Sequence, residues 1–351
     1  MKKINSIEIS VVIAHRNNFQ FISRCVKSIY QERGDIYEVV IVDDFSEGNR
    51  TTIFEKLRTQ FTNLTIIYLP SFQGAAYARN MGVVNSKGEY IFFLDADTEI
   101  LSEWRNEITK FFEKNEDAGC AQVQLLKSDK KHIDYGGDYV NQFFLLNERL
   151  GEMKDIKKIN VQTPIFSGKS AGLIVKKSIF ESVGGFDNDL QVFFEDTDLC
   201  WRIWLAGYKV YYIPSIRVIH HYVSKGKDHA YYVKNKVIMR GARNSISVMM
   251  KNKEFPSVIL FSIFSVALWS TILFVSLITG NVYKASEIFK GIVFSIFSLP
   301  TILKKRRQIQ AYRKMSDRSL FNQVGIHIPY QKLIHKGFAY IQGKPYYTQH
   351  V

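Results

Sequence analysis

Two carboxylates separated by one residue, Asp95-Ala96-Asp97, end the apolar run YIFFL. Hard divalent cations such as Mn²⁺ or Mg²⁺ take oxygen ligands and commonly bridge a protein carboxylate to a substrate phosphate. A pair at that position suits a site that neutralises a departing diphosphate, although the same spacing also occurs in solvated loops. A second acidic pair, Asp43-Asp44, follows the run YEVVIV. An acid at the end of the second strand of an α/β sheet can accept a hydrogen bond from a ribose hydroxyl or a base N–H. The alternative is a turn or helix cap, a role open to Ser46 as well. The segment GAAYARNMG, from Gly74 to Gly82, lets a helix begin close to a ligand and puts Arg79 within reach of a phosphate or base. Glu195, Asp196 and Asp198 follow two phenylalanines in VFFEDTDLCWR. A carboxylate beside aromatics can have its pKa raised toward that of a useful general base. Acids at a helix start also complement its dipole, and Arg202 is spaced to pair with Asp198. Gly184 and Gly185, in SVGGFD, form a turn able to approach an acceptor closely. His220, at the end of a β-rich run and near the acidic residues, is a candidate third metal ligand.

These side chains need a scaffold, and the hydrophobic periodicity supplies one. IEISVVIA, YEVVIVDD, LTIIYLP and GEYIFFLDAD read as short buried strands. Between them, FQFISRCVKSIYQ, a segment from about Arg50 to Phe61, and GAAYARNMGVVNS read as helices. Repeated strand–helix–strand units imply a mostly parallel sheet with helices on both faces. Ligands then bind beyond the carboxyl ends of the strands, which puts Ala14-His15-Arg16-Asn17, Asp43-Asp44 and Asp95-Ala96-Asp97 along one edge. Farther on, FEDTDLCWRIWLAGYKV reads as a helix stopped by Gly207, and YKVYYIPSIRVIHH as β-rich. There is no G-x-G-x-x-G or Walker motif, so dinucleotide and P-loop readings lose support.

The 351-residue chain carries a net charge of +14, with 26 Phe and 19 Tyr. That charge permits nucleic acid, phosphate-bearing small molecules or an anionic membrane as partners. Its densest cluster, Lys304 to Arg307, directly follows an apolar region, which favours the membrane over nucleic acid. Residues 255–283 contain no charge and are long enough to cross a bilayer. A second apolar stretch within 288–303 contains Pro300 and suits a re-entrant or interfacial segment, or half of a hairpin; a buried core helix is the plainer alternative. Three scattered cysteines, Cys25, Cys120 and Cys200, imply no disulfide framework or zinc site. The start of the chain reads as a first strand and not as a signal peptide, so the catalytic part is expected on the cytoplasmic side of a cell membrane. The expected organisation is a catalytic domain over 1–235, a helical membrane-associated segment over 236–310, and a basic, aromatic tail over 311–351.

The ordered series VVIAHRN, VDDFS, GAAYARNMG, LDAD, SGKSAGLIVKKSIFESVGGFD, EDTDLCWR, AGYKVYYIP and VIHH, over roughly residues 8 to 222, resembles the family 2 glycosyltransferases, which have the Rossmann-like GT-A fold. GGFD, EDTDLCWR and the following His look like the rhamnosyltransferase-type subset, several of which carry apolar, basic C-terminal segments. The resemblance implies an inverting transfer of one sugar from a UDP-, dTDP- or GDP-linked donor, with Mn²⁺ or Mg²⁺. The implied acceptor is a lipid-linked glycan of cell-surface polysaccharide assembly. By position, Ala14, Arg16, Asp43, Asp44, Gly74, Arg79 and Asp95 would border the donor, and Asp95, Asp97 and His220 would hold the metal. Asp196 would be the general base, with Gly184, Gly185, Glu195 and Trp201 on the acceptor side. The chain departs from the family at Ala14-His15-Arg16, where a Pro and a small or aromatic residue are usual. It also lacks the Q-x-x-R-W sequence of processive synthases. The competing reading is a membrane-anchored nucleotide-sugar-binding pseudoenzyme or assembly partner, against which the intact EDTDLCWR argues.

Overall fold

The structure, a computed structural model of the chain, describes residues 9–32, 38–48, 50–101, 103–144, 146–148, 160–221, 237–329 and 331–332. The chain divides into two compact units, Met1–Asp138 with Glu148–Gly226, and Tyr139–Asn147 with Lys227–Val351.

In the first unit, strands β1 (Ile9–His15), β2 (Glu38–Asp43), β3 (Leu64–Tyr68) and β4 (Tyr90–Asp95) alternate with helices α1 (Phe19–Tyr30), α2 (Arg50–Gln60) and α3 (Ala75–Val84). These four strands are parallel, in the order β3-β2-β1-β4. Every residue of β2 is buried, as are nearly all of β1 and β4. That burial on both faces is why the sequence shows continuous apolar runs there and not alternation. The strand order reverses at β1, so its carboxyl end and that of β4 border the crevice where α/β sheets bind ligands. Register places Ala14 opposite Asp95, and His15 opposite Asp43.

Beyond β4 come β5 (Thr98–Ile100), α4 (Arg105–Lys114), β6 (Ala118–Leu126), β7 (Ile133–Tyr135), β8 (Asp138–Asn141), β9 (Leu146–Glu148), β10 (Thr163–Pro164), β11 (Leu173–Lys176), α5 (Lys177–Ser182), α6 (Glu195–Leu205) and β12 (Lys209–His220). The large sheet runs β10-β12-β6-β11-β4-β1-β2-β3, with β5 on β12 and β7 on β6. Antiparallel β11 separates the parallel half from β6 and β12, so the sheet is mixed. Gly207 ends α6 with φ of 92°, the left-handed stop read from the sequence.

The second unit holds α7 (Val237–Asn252), α8 (Ser257–Ile278), α9 (Val282–Phe297), α10 (Leu299–Ala311), α11 (Asp317–Val324) and β13 (Gly325–Ile326). β13 joins β8 and β9 in a three-stranded sheet, so residues 139–147 belong with the C-terminal helices. Among the described residues α8 is long and apolar enough to cross a bilayer, with a mean hydropathy of 2.4. The charge-free stretch 255–283 is not one helix: it breaks at Thr279–Asn281 and resumes as α9. The second apolar stretch is also broken, because α9 and α10 meet at 63° around Ser298, with Pro300 in the first turn of α10. Pro is tolerated there because the first N–H groups of a helix lack intrahelical partners anyway. Of the expected tail, residues 333–351 lie outside the described residues.

Helix α3 lies against β1 through Gly82, where a Cβ would collide with a Val12 methyl. Gly82→Val is expected to destabilise the first unit by about 1–3 kcal/mol through overpacking, read as a lower thermal midpoint. Val84→Ala, on the outward face of α3, should leave that midpoint unchanged.

Candidate active site

Asp95 is the last residue of β4, and Thr98 closes the turn after it by donating its hydroxyl to the Asp95 carbonyl at 2.7 Å. The chain then runs as β5 antiparallel to the end of β12, with Thr98 opposite His220. This pairing carries a histidine more than a hundred residues away onto the acidic turn. Ligand atoms of Asp95, Asp97 and His220 all lie within 4.8 Å of one another. His220 Nε2 is 3.6 Å from Asp97, and its Nδ1 is 3.6 Å from Asp134 on β7. Burial pulls the His220 pKa down, but Asp134, Asp97 and Asp95 outweigh it and hold the ring at about 9. His221 is committed elsewhere, to Glu99 at 2.8 Å and against Phe21. Asp134 gave no signal in the sequence, because nothing local marks a carboxylate on a three-residue strand as part of a site.

The donor set of two carboxylates and one imidazole suits Mn²⁺ or Mg²⁺ better than a thiol-seeking metal. A protonated imidazole cannot ligate, so a bound cation would replace the proton His220 shares with its acidic neighbours.

Helix α6 brings the second acidic group. Phe193 and Phe194, just before it, have φ of 72° and 68°, and Gln191 has 58°. Left-handed backbone at successive bulky residues stores strain of the kind that clusters at functional sites. It turns the chain so that Glu195 and Asp196 start the helix facing Arg79. Arg79, on α3, donates to Asp95 at 3.0 Å and to Glu195 at 2.9 Å, and lies 3.9 Å from Asp196. Burial alone would lower its pKa, but Asp196, Asp95 and Glu195 more than offset this and lock in the charge. The same burial pushes Glu195 up to about 7, aided by Asp196 and opposed by Arg79, and it also raises Asp196. Asp196 accepts from the backbone N–H of Ser170 at 3.1 Å and from its hydroxyl. Asp198 stands apart: it is fully buried and paired with Arg202 at 2.9 Å, the i,i+4 partner named from the sequence.

The remaining expected site residues divide by environment. Asp43 is fully buried, bound by His15 at 2.9 Å, by Ser46 and by Arg50 at 3.3 Å. Burial raises its pKa, and His15 and Ser46 reverse that to below the usual range. Asp44 accepts the backbone N–H groups of Gln73 and Gly74 at 2.8 and 2.9 Å, anchoring the entry to α3; burial nevertheless keeps its carboxyl above the usual range. Gly74 has φ of 95°, and a Cβ there would meet Gln191 at 3.0 Å, so its glycine is required by backbone packing as well. Arg16 stacks on Phe72 at 3.9 Å, with a buried guanidinium nitrogen that has no hydrogen-bond partner among the described residues. Ala14 lies level with Asp95. Gly184 and Gly185 both have positive φ; Gly184 is open, whereas Gly185 packs on Asn80 and Phe180. Trp201 was expected on the acceptor side. It is only 2% exposed and packs edge-on against Phe166, because α6 is enclosed almost all round. In this structure it braces the helix from inside.

Arg79 is a buried cation shared by three carboxylates, so its removal leaves them uncompensated. Arg79→Met is expected to destabilise the first unit by about 3–5 kcal/mol at neutral pH. Without the guanidinium the folded-state pKa values of Glu195 and Asp196 rise further above their unfolded values. Stability they contribute is present at low pH and lost as pH rises through the folded pKa. For Glu195, held at about 7 in the intact protein, the deficit should therefore grow as pH rises through about 7 and above, measured by urea unfolding of both proteins from neutral to alkaline pH.

Known proteins resemble the chain in sequence and in fold. The sequence pattern of glycosyl transferase family 2 covers residues 10–181. The dTDP-rhamnosyl transferase RfbF of Shigella flexneri is 32% identical over 192 residues, which is 52% of this chain and 59% of that protein. The Pre-mycofactocin glycosyltransferase of Mycobacterium tuberculosis is 26% identical over 253 residues, 72% of this chain. The chain spans about half the length of that relative, 50%. Among solved structures, the mannosyltransferase PcManGT of Pyrobaculum calidifontis, in complex with GDP-Man and Mn²⁺, superposes with a TM-score of 0.51 at 16% identity, covering 87% of this chain and 85% of that one. That likeness speaks for the fold. Residues 10–181 of the chain thus belong to glycosyl transferase family 2, on a GT-A fold.

Proposed function

We propose that the chain is a metal-dependent, inverting glycosyltransferase. It moves a single sugar from a UDP-, dTDP- or GDP-linked donor to a hydroxyl of a lipid-linked glycan, at the cytoplasmic face of a cell membrane, in cell-surface polysaccharide or glycoconjugate synthesis. The observation that carries this reading is the convergence of Asp95, Asp97 and His220 with Glu195 and Asp196 across one buried arginine. The names of similar proteins support it: one is a dTDP-rhamnosyl transferase, and another was solved with GDP-Man and Mn²⁺.

Asp95, Asp97 and His220 would hold Mn²⁺ or Mg²⁺, which when bound supplies positive charge to the departing diphosphate. Arg16, with a guanidinium nitrogen to spare, suits the donor's phosphates, and Asp44 and Gly74 border the nucleotide. Arg79 keeps Asp95 and the start of α6 at fixed separation, so donor and acceptor groups meet in one geometry. Asp196, steadied by Ser170, takes the proton from the acceptor hydroxyl. The oxygen then attacks the anomeric carbon from the face opposite the diphosphate, which inverts the configuration. Glu195, Gly184 and Gly185 lie on the acceptor side of that base.

Asp196→Asn is expected to keep donor affinity and lower transfer by about 10²–10⁴-fold; transfer at the wild-type rate would show that another group is the base. Burial raises Asp196 above the usual carboxylate range and holds its neighbour Glu195 at about 7, so single-turnover transfer should fall as pH drops and the pair takes up protons. A flat profile from pH 5 to 8 would exclude this pair from the proton step. Asp97→Asn, or chelation of divalent ions, should abolish Mn²⁺-dependent donor binding in calorimetry. Donor binding that persists without transfer to any of a broad acceptor panel would favour the pseudoenzyme instead.

A further inference from the structure

The membrane reading above leaves open how the helical unit meets lipid. From its own packing we infer that it is monotopic: α8 and α9 lie along one leaflet with their outward faces in the acyl region, and neither crosses the bilayer. The inference rests on that membrane reading and on three features of the second unit.

First, α8 is exposed along its whole length on one face. Leu260, Ile263, Phe274 and Ile278 are 63–70% exposed there, and Phe289 and Phe297 of α9 are 60% and 81% exposed. No charge interrupts the α8 face, and contiguous apolar surface of that extent marks a contact with protein or lipid.

Second, the opposite face of α8 is covered by α7, which is polar. Trp269 donates its indole N–H to Ser245 at 2.9 Å, and Gly241 lies beside the same ring. Gly291 of α9 packs directly on the α7 backbone at Met239 and Arg243. Trp269 is about 18 Å along α8 from its start. Arg240, Arg243 and Asn244, buried on α7, are therefore level with the middle of α8. Were α8 upright in a hydrocarbon layer of about 30 Å, two arginines would sit near its centre. Charged groups there are rare and costly. With α8 flat, they stand behind it, away from the acyl chains.

Third, exposed basic side chains adjoin the apolar helices in the chain. Lys290 is exposed on α9 beside Glu287, so a span through α9 would carry charge into lipid. Lys304 and Arg307 are exposed on α10, where the helix has turned 63° from α9. Arg306, between them, is engaged by the carbonyls of Met250, Lys251 and Lys253 at the end of α7 and fixes that edge to the unit. Apolar helices followed by exposed basic side chains complement an anionic leaflet, with the long stems able to reach back to phosphate.

The test adds purified full-length protein to the outside of sealed vesicles of phosphatidylcholine, with and without one-third phosphatidylglycerol. Donor hydrolysis is followed in the same samples. The native cysteines are buried, so fluorophores can be placed singly through Ile263→Cys and Phe274→Cys, about 16 Å apart along the axis. Thr279→Cys probes the turn. A flat unit gives equal quenching depths for the two fluorophores and leaves the turn open to an impermeant maleimide. Lys304→Glu with Arg307→Glu should then weaken binding to the anionic vesicles by at least about ten-fold without changing donor hydrolysis. Unequal depths with a protected turn would overturn the flat arrangement and leave the membrane reading standing. Hydrolysis without binding to either vesicle would overturn both, while sparing the transferase assignment.

Discussion

The candidate site depends on one buried cation. Arg79 reaches from α3 to the end of β4 and to the start of α6, contacting carboxylates on both. Three acids this close repel one another, and desolvation alone would drive them to take up protons. The guanidinium, charged at any accessible pH and forked, satisfies two of them with directed hydrogen bonds and the third through its field. The metal motif and the candidate base are therefore not independent features. They are two ends of one ion network, and their separation is set by the span of a single guanidinium group.

That network costs backbone conformation elsewhere. The left-handed residues before α6 turn the helix start inward, and Gly74 makes room for Gln191 against the entry to α3. The loop is held by Ala76, whose N–H donates to the Gln191 carbonyl at 3.0 Å. Asp44 fastens the same entry from the other side through Gln73 and Gly74. An acid that reads from the sequence as a ligand contact is thus also a structural anchor. Its neighbour Asp43 is more so, since His15, Ser46 and Arg50 already surround it. His15 belongs to the segment Ala14-His15-Arg16, where the chain departs from the family pattern, and its partner here is that aspartate.

What could be read in advance followed from local periodicity. Continuous apolar runs give strands buried on both faces, and the order of strands and helices gives the sheet, because connections of this kind have few solutions. The carboxyl-end rule then gathers Asp43, Asp44 and Asp95 at one edge. Asp134 escaped because its position beside His220 arises from a strand pairing between β6 and β7, which no local pattern announces. For Trp201, a place among acidic residues in the chain says nothing of which side of the helix faces the cleft; in the fold it packs against Phe166.

The sequence by itself determined the fold class, the family of residues 10–181, the acidic pair after β4 and the apolar character of the C-terminal helices, all of which reside in short-range spacing. Only the tertiary structure carried His220 onto the acidic turn, placed Asp134 beside it, and set a polar helix along the middle of α8. Those outcomes depend on register between distant strands and on which helix face meets which neighbour. A shift of one residue in a strand reverses every side chain to the other face, and a composition that stays the same under such a shift cannot record it.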